Sequence, residues 1–196
     1  MKIRFAATAA MTVTTLLALA GCTTAMTDSA QNPESSATES VTIADANSSD
    51  VMFTTMMIPH HEQAVEMADM VLMKEGIDQR VLTLARDVKA AQAPEIALMK
   101  GWLDDWGVKV DSGMAGMDHG DGMMSDSDMS DLESASGVEA SRLFLEQMIL
   151  HHEGAIDMAL LEVDAGQNTA ATALAQEVID AQTGEITVMR DILSSL

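Results

Sequence analysis

The stretch MMIPHHEQAVEMA (residues 56–68) occurs a second time, with substitutions, as QMILHHEGAIDMA (residues 147–159). A further pair of matching stretches lies at nearly the same separation: LARDVKAAQAPEIALM (84–99) and LAQEVIDAQTGEITVM (174–189). Self-similarity over this length indicates that one supersecondary unit has been duplicated. The chain is therefore predicted to contain two copies of the same structural repeat.

Each repeat is predicted to be a pair of helices. Apolar residues recur at spacings of three and four, as in Val81, Leu84 and Val88, and no segment shows the alternation of a strand. The predicted helices run from an Asp50 cap to about Glu75 with Gly76 after it, from an Asp78 cap to about Asp105, and over 138–164 and 169–195 with Gly166 between them. Two hairpins, over 50–106 and 137–196, predict an all-α four-helix bundle.

The first residues predict an export signal. Residues 1–21 contain a short basic start and an apolar run that is too short for a transmembrane helix. The sequence LAGC (19–22) resembles the lipobox of bacterial lipoproteins, which implies cleavage before Cys22 and a lipid on its sulfur. An ordinary signal peptide with a chance cysteine is the alternative. We expect an exported protein that is lipid-anchored to the cell membrane.

Composition limits the remaining possibilities. The formal net charge of −21 excludes nucleic acid as a natural partner and attracts cations without selecting among them. Cys22 is the only cysteine, so no disulfide is expected. Residues 22–49 are polar and rich in Ser and Thr, which predicts a flexible tether. Residues 107–136 are rich in Gly, Asp, Ser and Met, which suits neither a helix nor a strand and predicts an irregular linker.

The repeated histidine pairs are the strongest candidates for a metal site. Four of the five histidines lie in them, and helical spacing places each next to a methionine seven or four residues away. Histidine is the commonest metal ligand, although a partly buried histidine or a methionine used for packing is the structural alternative. The predicted metal ligands are Met57, His60, His61 and Met67 in the first repeat and Met148, His151, His152 and Met158 in the second.

The second helix of each repeat supplies further candidates. A poor helix former, Pro94 or Gly184, lies between a glutamine and a glutamate in each copy, which suggests a bend that turns both side chains inward. Pro59 precedes the first histidine pair and is predicted to kink its helix. The residues predicted to bind the metal or to support its ligands are Glu62, Gln92, Glu95, Met99, Glu153, Gln182, Glu185 and Met189.

The donor set favours copper. The His-Glu-x-x-His motif of zinc hydrolases is absent, and so is the Glu-x-x-His motif of di-iron bundles. Thioethers select Cu(I), and imidazole binds both copper states. The linker methionines lack apolar neighbours, which suggests a flexible site for Cu(I) or Ag(I), although a disordered acidic segment is the alternative. The predicted linker ligands are Met114, Met117, His119, Met123 and Met124.

MMIPHHEQAVEMA, AQAPEIALMKGWLDDWG and their second copies together resemble the family called domain of unknown function 305. The resemblance covers about residues 50–196 and implies a ferritin-like four-helix bundle, export and copper handling. By position it assigns the histidine pairs and the following methionines, Met67 and Met158, to the metal. We expect a copper-binding lipoprotein that sequesters or delivers copper, and no enzyme. The alternatives are a ferritin-like metal oxidase and a structural lipoprotein with a Met-rich core.

Overall fold

The computed structural model describes residues 45–109 and 122–196, and every regular element in these ranges is helical. The helices are α1 (Ser48–Leu72), α2 (Gln79–Asp105), α3 (Asp126–Ser134), α4 (Gly137–Ala165) and α5 (Thr169–Leu193). The all-α prediction is confirmed. No helix within the described ranges is long and apolar enough to span a membrane. The predicted signal peptide, Cys22 and most of the tether lie outside the described residues.

The helix boundaries follow the predicted capping signals with two corrections. Helix α1 ends at Leu72 and not near Glu75. The cap of α1 is Asn47 and not Asp50, because the Asn47 side chain accepts hydrogen bonds from the amides of Ser49 and Asp50. Asp50 is the third helical residue and completes a capping box. The α2 cap is Asp78, as predicted. Both proline-containing helices are continuous, with Pro59 inside α1 and Pro94 inside α2.

Asp50 and Glu162 form a buried acidic corner where α1 meets the turn between α4 and α5. Asp50 Oδ1 accepts hydrogen bonds from the amides of Gln167 and Asn168 at 3.0 and 2.8 Å, and Ser49 Oγ donates to Glu162 Oε2 at 3.1 Å. Burial and the neighbouring Asp50 carboxyl raise the pKa of Glu162 to about 7. Burial alone would also raise the pKa of Asp50, but its hydrogen bonds outweigh burial and lower that pKa. A proton on Glu162 is therefore favoured by the fold.

Helix α3 corrects the prediction that the whole linker is irregular. It begins after Ser125, whose hydroxyl accepts from the Asp128 amide in a second capping box. Leu132 is fully buried and anchors α3 against α1 and α4. The sequence of this helix is mostly Asp and Ser, so its only strong apolar signal is the pair formed by Met129 and Leu132.

The four long helices enclose two apolar clusters rather than one. Helix α1 packs antiparallel against α2, α4 packs against α5, and α1 also packs against α4. Each cluster takes residues from all four long helices. One contains Met67, Val88, Phe144 and Ile186, and the other contains residues at the opposite ends of the same helices. The candidate site lies between them.

Candidate metal centre

A layer of buried polar side chains separates the two apolar clusters. Along each long helix, a histidine pair or a glutamine separates the residues of one cluster from the residues of the other. No member of the layer is more than 4% exposed. The members are His60 and His61 on α1, Gln92 on α2, His151 and His152 on α4, and Gln182 on α5. The duplication therefore brings the two predicted histidine pairs together at the centre of the molecule.

His60 and His151 are in direct contact across the interface between α1 and α4. Their ring centroids are 3.7 Å apart and their planes are tilted by 38°. Neither ring nitrogen of either residue has a hydrogen-bond partner among the described residues. Burial, together with the neighbouring imidazoles, lowers the pKa of His60 to about 3 and that of His151 well below its ordinary value. Both rings are therefore neutral at physiological pH, which is the form that binds metals.

His61 and His152 each pair with a glutamate of the second helix in their own repeat. His61 Nε2 lies 2.8 Å from Glu95 Oε2, and His152 Nε2 lies 2.6 Å from Glu185 Oε2. A carboxylate accepts the N–H, so Nε2 carries the proton in both imidazoles. Each Nδ1 is buried and has no hydrogen-bond partner among the described residues. Carboxylates that fix the tautomer of a ligating histidine in this way are the usual support of protein metal sites.

The two glutamines of the layer are also incompletely satisfied. Neither polar atom of the Gln92 side chain has a partner within the described structure, and the Gln182 Oε1 atom also lacks one. Buried polar atoms cost roughly 1–3 kcal/mol each when unpaired. Most of the unpaired buried side-chain atoms in the described residues belong to this layer. Such a concentration indicates a site that is completed by an ion or by water.

The candidate methionines flank the layer on both sides. All six are buried, and none is more than 9% exposed. One cluster contains Met57, Met99 and Met158, and the other contains Met67, Met148 and Met189. Each group of three combines two methionines of one repeat with one methionine of the other. These side chains fill the core on both sides of the histidine layer, so packing and ligation are compatible at these positions.

The donors are gathered but do not form a ready-made coordination sphere. Among residues 45–109 and 122–196, no three or more His, Cys, Asp or Glu side chains converge on one point. The centroids of the His60 and His151 rings are only 3.7 Å apart, which leaves no room for an ion between the rings. A shared ion therefore requires rotation of these rings, with the methionines as adaptable neighbours.

Glu62 and Glu153 lie outside the layer. Both are exposed, and they form ion pairs with Lys100 Nζ at 2.6 Å and Arg190 Nη2 at 2.8 Å. These pairs join the two helices of each repeat at the surface. The structure therefore does not bring Glu62 or Glu153 to the buried donors, whereas it does bring Glu95 and Glu185.

The predicted linker ligands divide into two groups. Met114, Met117 and His119 lie outside the described residues. Met123 and Met124 are half-buried, and Met124 packs against the apolar cluster that contains Met67 and Phe144. The expectation that core packing cannot explain the linker methionines is therefore wrong for Met124.

Gln63 was missed by the sequence analysis. Its side-chain amide forms two hydrogen bonds with the main chain of Met124, at 2.8 and 2.9 Å. The available signal was the difference between the repeats, because Gln63 corresponds to Gly154 in the second copy. A position that changes from an amide to a glycine within an otherwise matching helix indicates different surroundings in the two halves.

Comparison of this chain with known proteins finds one family repeatedly. The family model described as "Domain of unknown function (DUF305)" matches residues 50–193. A DUF305 protein from Streptomyces coelicolor is similar in structure, with 34% identity and a TM-score of 0.68, over 75% of this chain and 93% of that one. A DUF305 fragment from Deinococcus radiodurans has 31% identity and a TM-score of 0.67, over 78% and 99% of the two chains.

A third similar structure carries copper. CopM in its Cu(I)-bound form has 30% identity and a TM-score of 0.61, over 74% of this chain and 96% of that one. CopM was also solved in Cu(II)-bound and Ag-bound forms. No curated protein matches this sequence significantly.

Proposed function

We propose, from the premise that this chain belongs to the DUF305 family, that it binds copper ions at the buried histidine layer. Its role is to sequester copper or to deliver it, either for metal tolerance or for loading a copper enzyme. Silver is the alternative cargo, because Ag(I) shares the preference of Cu(I) for thioether and imidazole donors.

The observation that carries this proposal is the set of unpaired ring nitrogens. His60 and His151 are buried, neutral and without hydrogen-bond partners in the described structure. Protein interiors rarely leave such atoms unsatisfied, since each one costs free energy that hydrophobic packing alone would avoid. A bound metal ion satisfies lone pairs of this kind directly.

The surrounding donors favour copper over zinc or iron. Thioethers are poor ligands for zinc, and the layer lacks cysteine altogether. Six buried methionines border the imidazoles, which suits Cu(I), while the nitrogen donors suit Cu(II). That CopM, a similar protein, has been solved with both copper states and with silver supports the same choice.

Binding rather than catalysis is proposed. A ferritin-like metal oxidase would need several carboxylates around the metal, and Glu62 and Glu153 are instead engaged in ion pairs at the surface. Glu95 and Glu185 accept hydrogen bonds from histidines, which gives them a supporting role. A purely structural lipoprotein would gain nothing from leaving imidazoles unpaired in its core.

Export and lipid anchoring complete the proposal. The signal sequence and the LAGC motif at residues 19–22 support attachment through Cys22, which holds the bundle outside the cytoplasm. Imidazole and thioether ligands cannot form disulfides, so they keep their ability to bind copper in an oxidising compartment, where thiol ligands would lose it.

The test is competition for Cu(I) against a colorimetric chelator, with the variant in which His60, His61, His151 and His152 are replaced by alanine. Loss of the tightest Cu(I) site in that variant is the expected result. The matched control replaces Glu62 and Glu153 by glutamine, next to each histidine pair but at the surface, and should bind as the parent does. If the four-alanine variant retains the tightest site, the copper is bound elsewhere and the proposal is wrong.

A further inference from the structure

Residues 122–129, here called the strap, run from the second half of the linker into α3 and contact both repeats. At one side, the Gln63 amide of α1 forms its two hydrogen bonds with the Met124 main chain. At the other side, Gly122 lies against the α4 backbone, so that a β-carbon on it would be 2.8 Å from Gly154 Cα and 2.9 Å from the Leu150 carbonyl oxygen. The strap therefore bridges α1 and α4.

The hydrogen bonds of the strap to the helices, and its Gly122 contact, lie close to His60 and His151 in the sequence. Gln63 follows His60 by three residues, and Gly154 follows His151 by three, so each lies on the helix surface next to its histidine. Gln147, which precedes His151 by four residues, donates from Nε2 to the Asp128 carbonyl of the strap at 2.9 Å. Residues three or four positions from His60 and His151 thus hold the strap across the interface at which the two rings meet.

The other side of the layer is closed by different elements. His61 and His152 are directed to Glu95 of α2 and Glu185 of α5. Helix α3, which continues the strap, packs instead against α1 and α4. His60 and His151 therefore meet at the interface of the two helices that the strap bridges, and both are at most 1% exposed.

The repeats differ at the two positions that receive the strap. Gln63 and Gly154 are equivalent in the duplication, yet one supplies a long amide and the other supplies no side chain at all. The amide holds the main chain of the strap at a distance from α1, and the glycine admits the strap to van der Waals contact with α4. This difference between the repeats is what fits the strap across the interface of α1 and α4.

We propose that the strap is a removable cover that controls the rate at which copper reaches and leaves His60 and His151. This inference rests on the proposed function, because it concerns access to the same site. Opening of residues 122–125 breaks the Gln63 hydrogen bonds and the Gly122 contact and withdraws Met124 from the apolar core, while the Gln147 hydrogen bond to Asp128 and buried Leu132 keep α3 attached. Gly122, with φ of +102°, supplies a backbone conformation that other residues resist.

The test compares Gly122→Ala with the parent chain in two measurements. A β-carbon at Gly122 meets backbone atoms on α4, so the variant cannot close the strap in its present position. In the apo protein, modification of His60 and His151 by diethyl pyrocarbonate, followed by mass spectrometry, measures access without any metal. In the loaded protein, transfer of Cu(I) to a chelator measures the rate of release. Both rates should rise about tenfold, the change produced when the closed state loses roughly 1.4 kcal/mol.

Two controls separate access from general instability. Gly101→Ala adds a β-carbon that meets nothing within 4 Å and should leave both rates unchanged. Ala90→Gly weakens α2 at an exposed position far along the chain from the strap, so it lowers stability without touching the cover. Gln63→Ala, which removes both hydrogen bonds, gives a second route to the open strap if Gly122→Ala fails to fold.

The outcomes distinguish this inference from the proposed function. Faster modification and faster release in the strap variants, but not in the controls, support the cover. Rates equal to those of the parent, or an equal rise in Ala90→Gly, overturn it even when the parent binds Cu(I) tightly. A parent chain that binds no Cu(I) overturns the proposed function, and the control of copper with it, whatever the modification rates are.

Discussion

Replacing both stacked histidines by leucine should make the metal-free protein more stable. His60→Leu with His151→Leu removes four buried nitrogens that have no partners in the described structure. At the low end of about 1 kcal/mol per unpaired atom, their removal gains roughly 4 kcal/mol. Imperfect fit of two leucines in place of two imidazoles costs about 1 kcal/mol each, which leaves a net gain of roughly 2 kcal/mol. For a chain of this length, that gain raises Tm by about 4–8 °C.

The assay is thermal unfolding of chelator-treated protein, followed by circular dichroism, with and without added Cu(I). The double variant should unfold at a higher temperature than the parent without copper, and added Cu(I) should raise the Tm of the parent but not that of the double variant. His61→Leu is the matched control, because it leaves the Glu95 carboxylate without its hydrogen bond and should give no gain. If the double variant is instead less stable than the parent by more than about 1 kcal/mol, the histidines are core architecture and the reasoning is refuted.

Three further predictions follow from other parts of the chain. Burial raises the pKa of Glu162 from 4.5 to about 7, so its contribution to stability is complete below pH 4.5 and is lost as the pH rises through 7. Glu162→Gln should remove that loss and be more stable than the parent at pH 8 by about 2 kcal/mol in urea unfolding, which is the roughly 3.4 kcal/mol of the full pKa shift reduced for screening by solvent. An unchanged pH profile would show that Glu162 is ionised in the fold. Cys22→Ser should move the protein from the membrane fraction to the soluble exported fraction, and an unchanged distribution would contradict the lipid anchor. Deletion of residues 112–120, which spares the strap and α3, should lower the number of Cu(I) ions bound while retaining the tightest one, as counted by chelator titration; loss of the tightest site would place it in the linker.

Much of the fold could be predicted because it depends on helical periodicity and duplication. The repeat predicted the four long helices within a few residues, and it predicted that Gln92 and Glu95 turn inward along with their second copies, as they do. Periodicity identifies which face of a helix is buried, and a duplication implies that the two buried faces meet. The central polar layer is therefore encoded in the local sequence.

The remaining features depend on contacts between distant parts of the chain. Helix α3 has a weak apolar signal, and its stability comes from burying Leu132 between α1 and α4. Asp50 was predicted to cap α1, whereas Asn47 does so. Both side chains can accept hydrogen bonds from the first amides of the helix, and Asp50 instead accepts from the amides of Gln167 and Asn168. Glu62 follows His61 directly, so spacing alone could not show that it pairs outward with Lys100.

The division of the core into two clusters has a consequence for the origin of the chain. Each cluster contains side chains from all four long helices, so a single helical hairpin cannot form a complete core. A single hairpin of this kind would need a second copy of itself to complete either core, with one histidine pair from each copy meeting on a twofold axis. The present chain is in this sense a covalently joined homodimer. Once the joint existed, the two halves were free to diverge, and the substitutions that now distinguish Gln63 from Gly154 became accessible to selection.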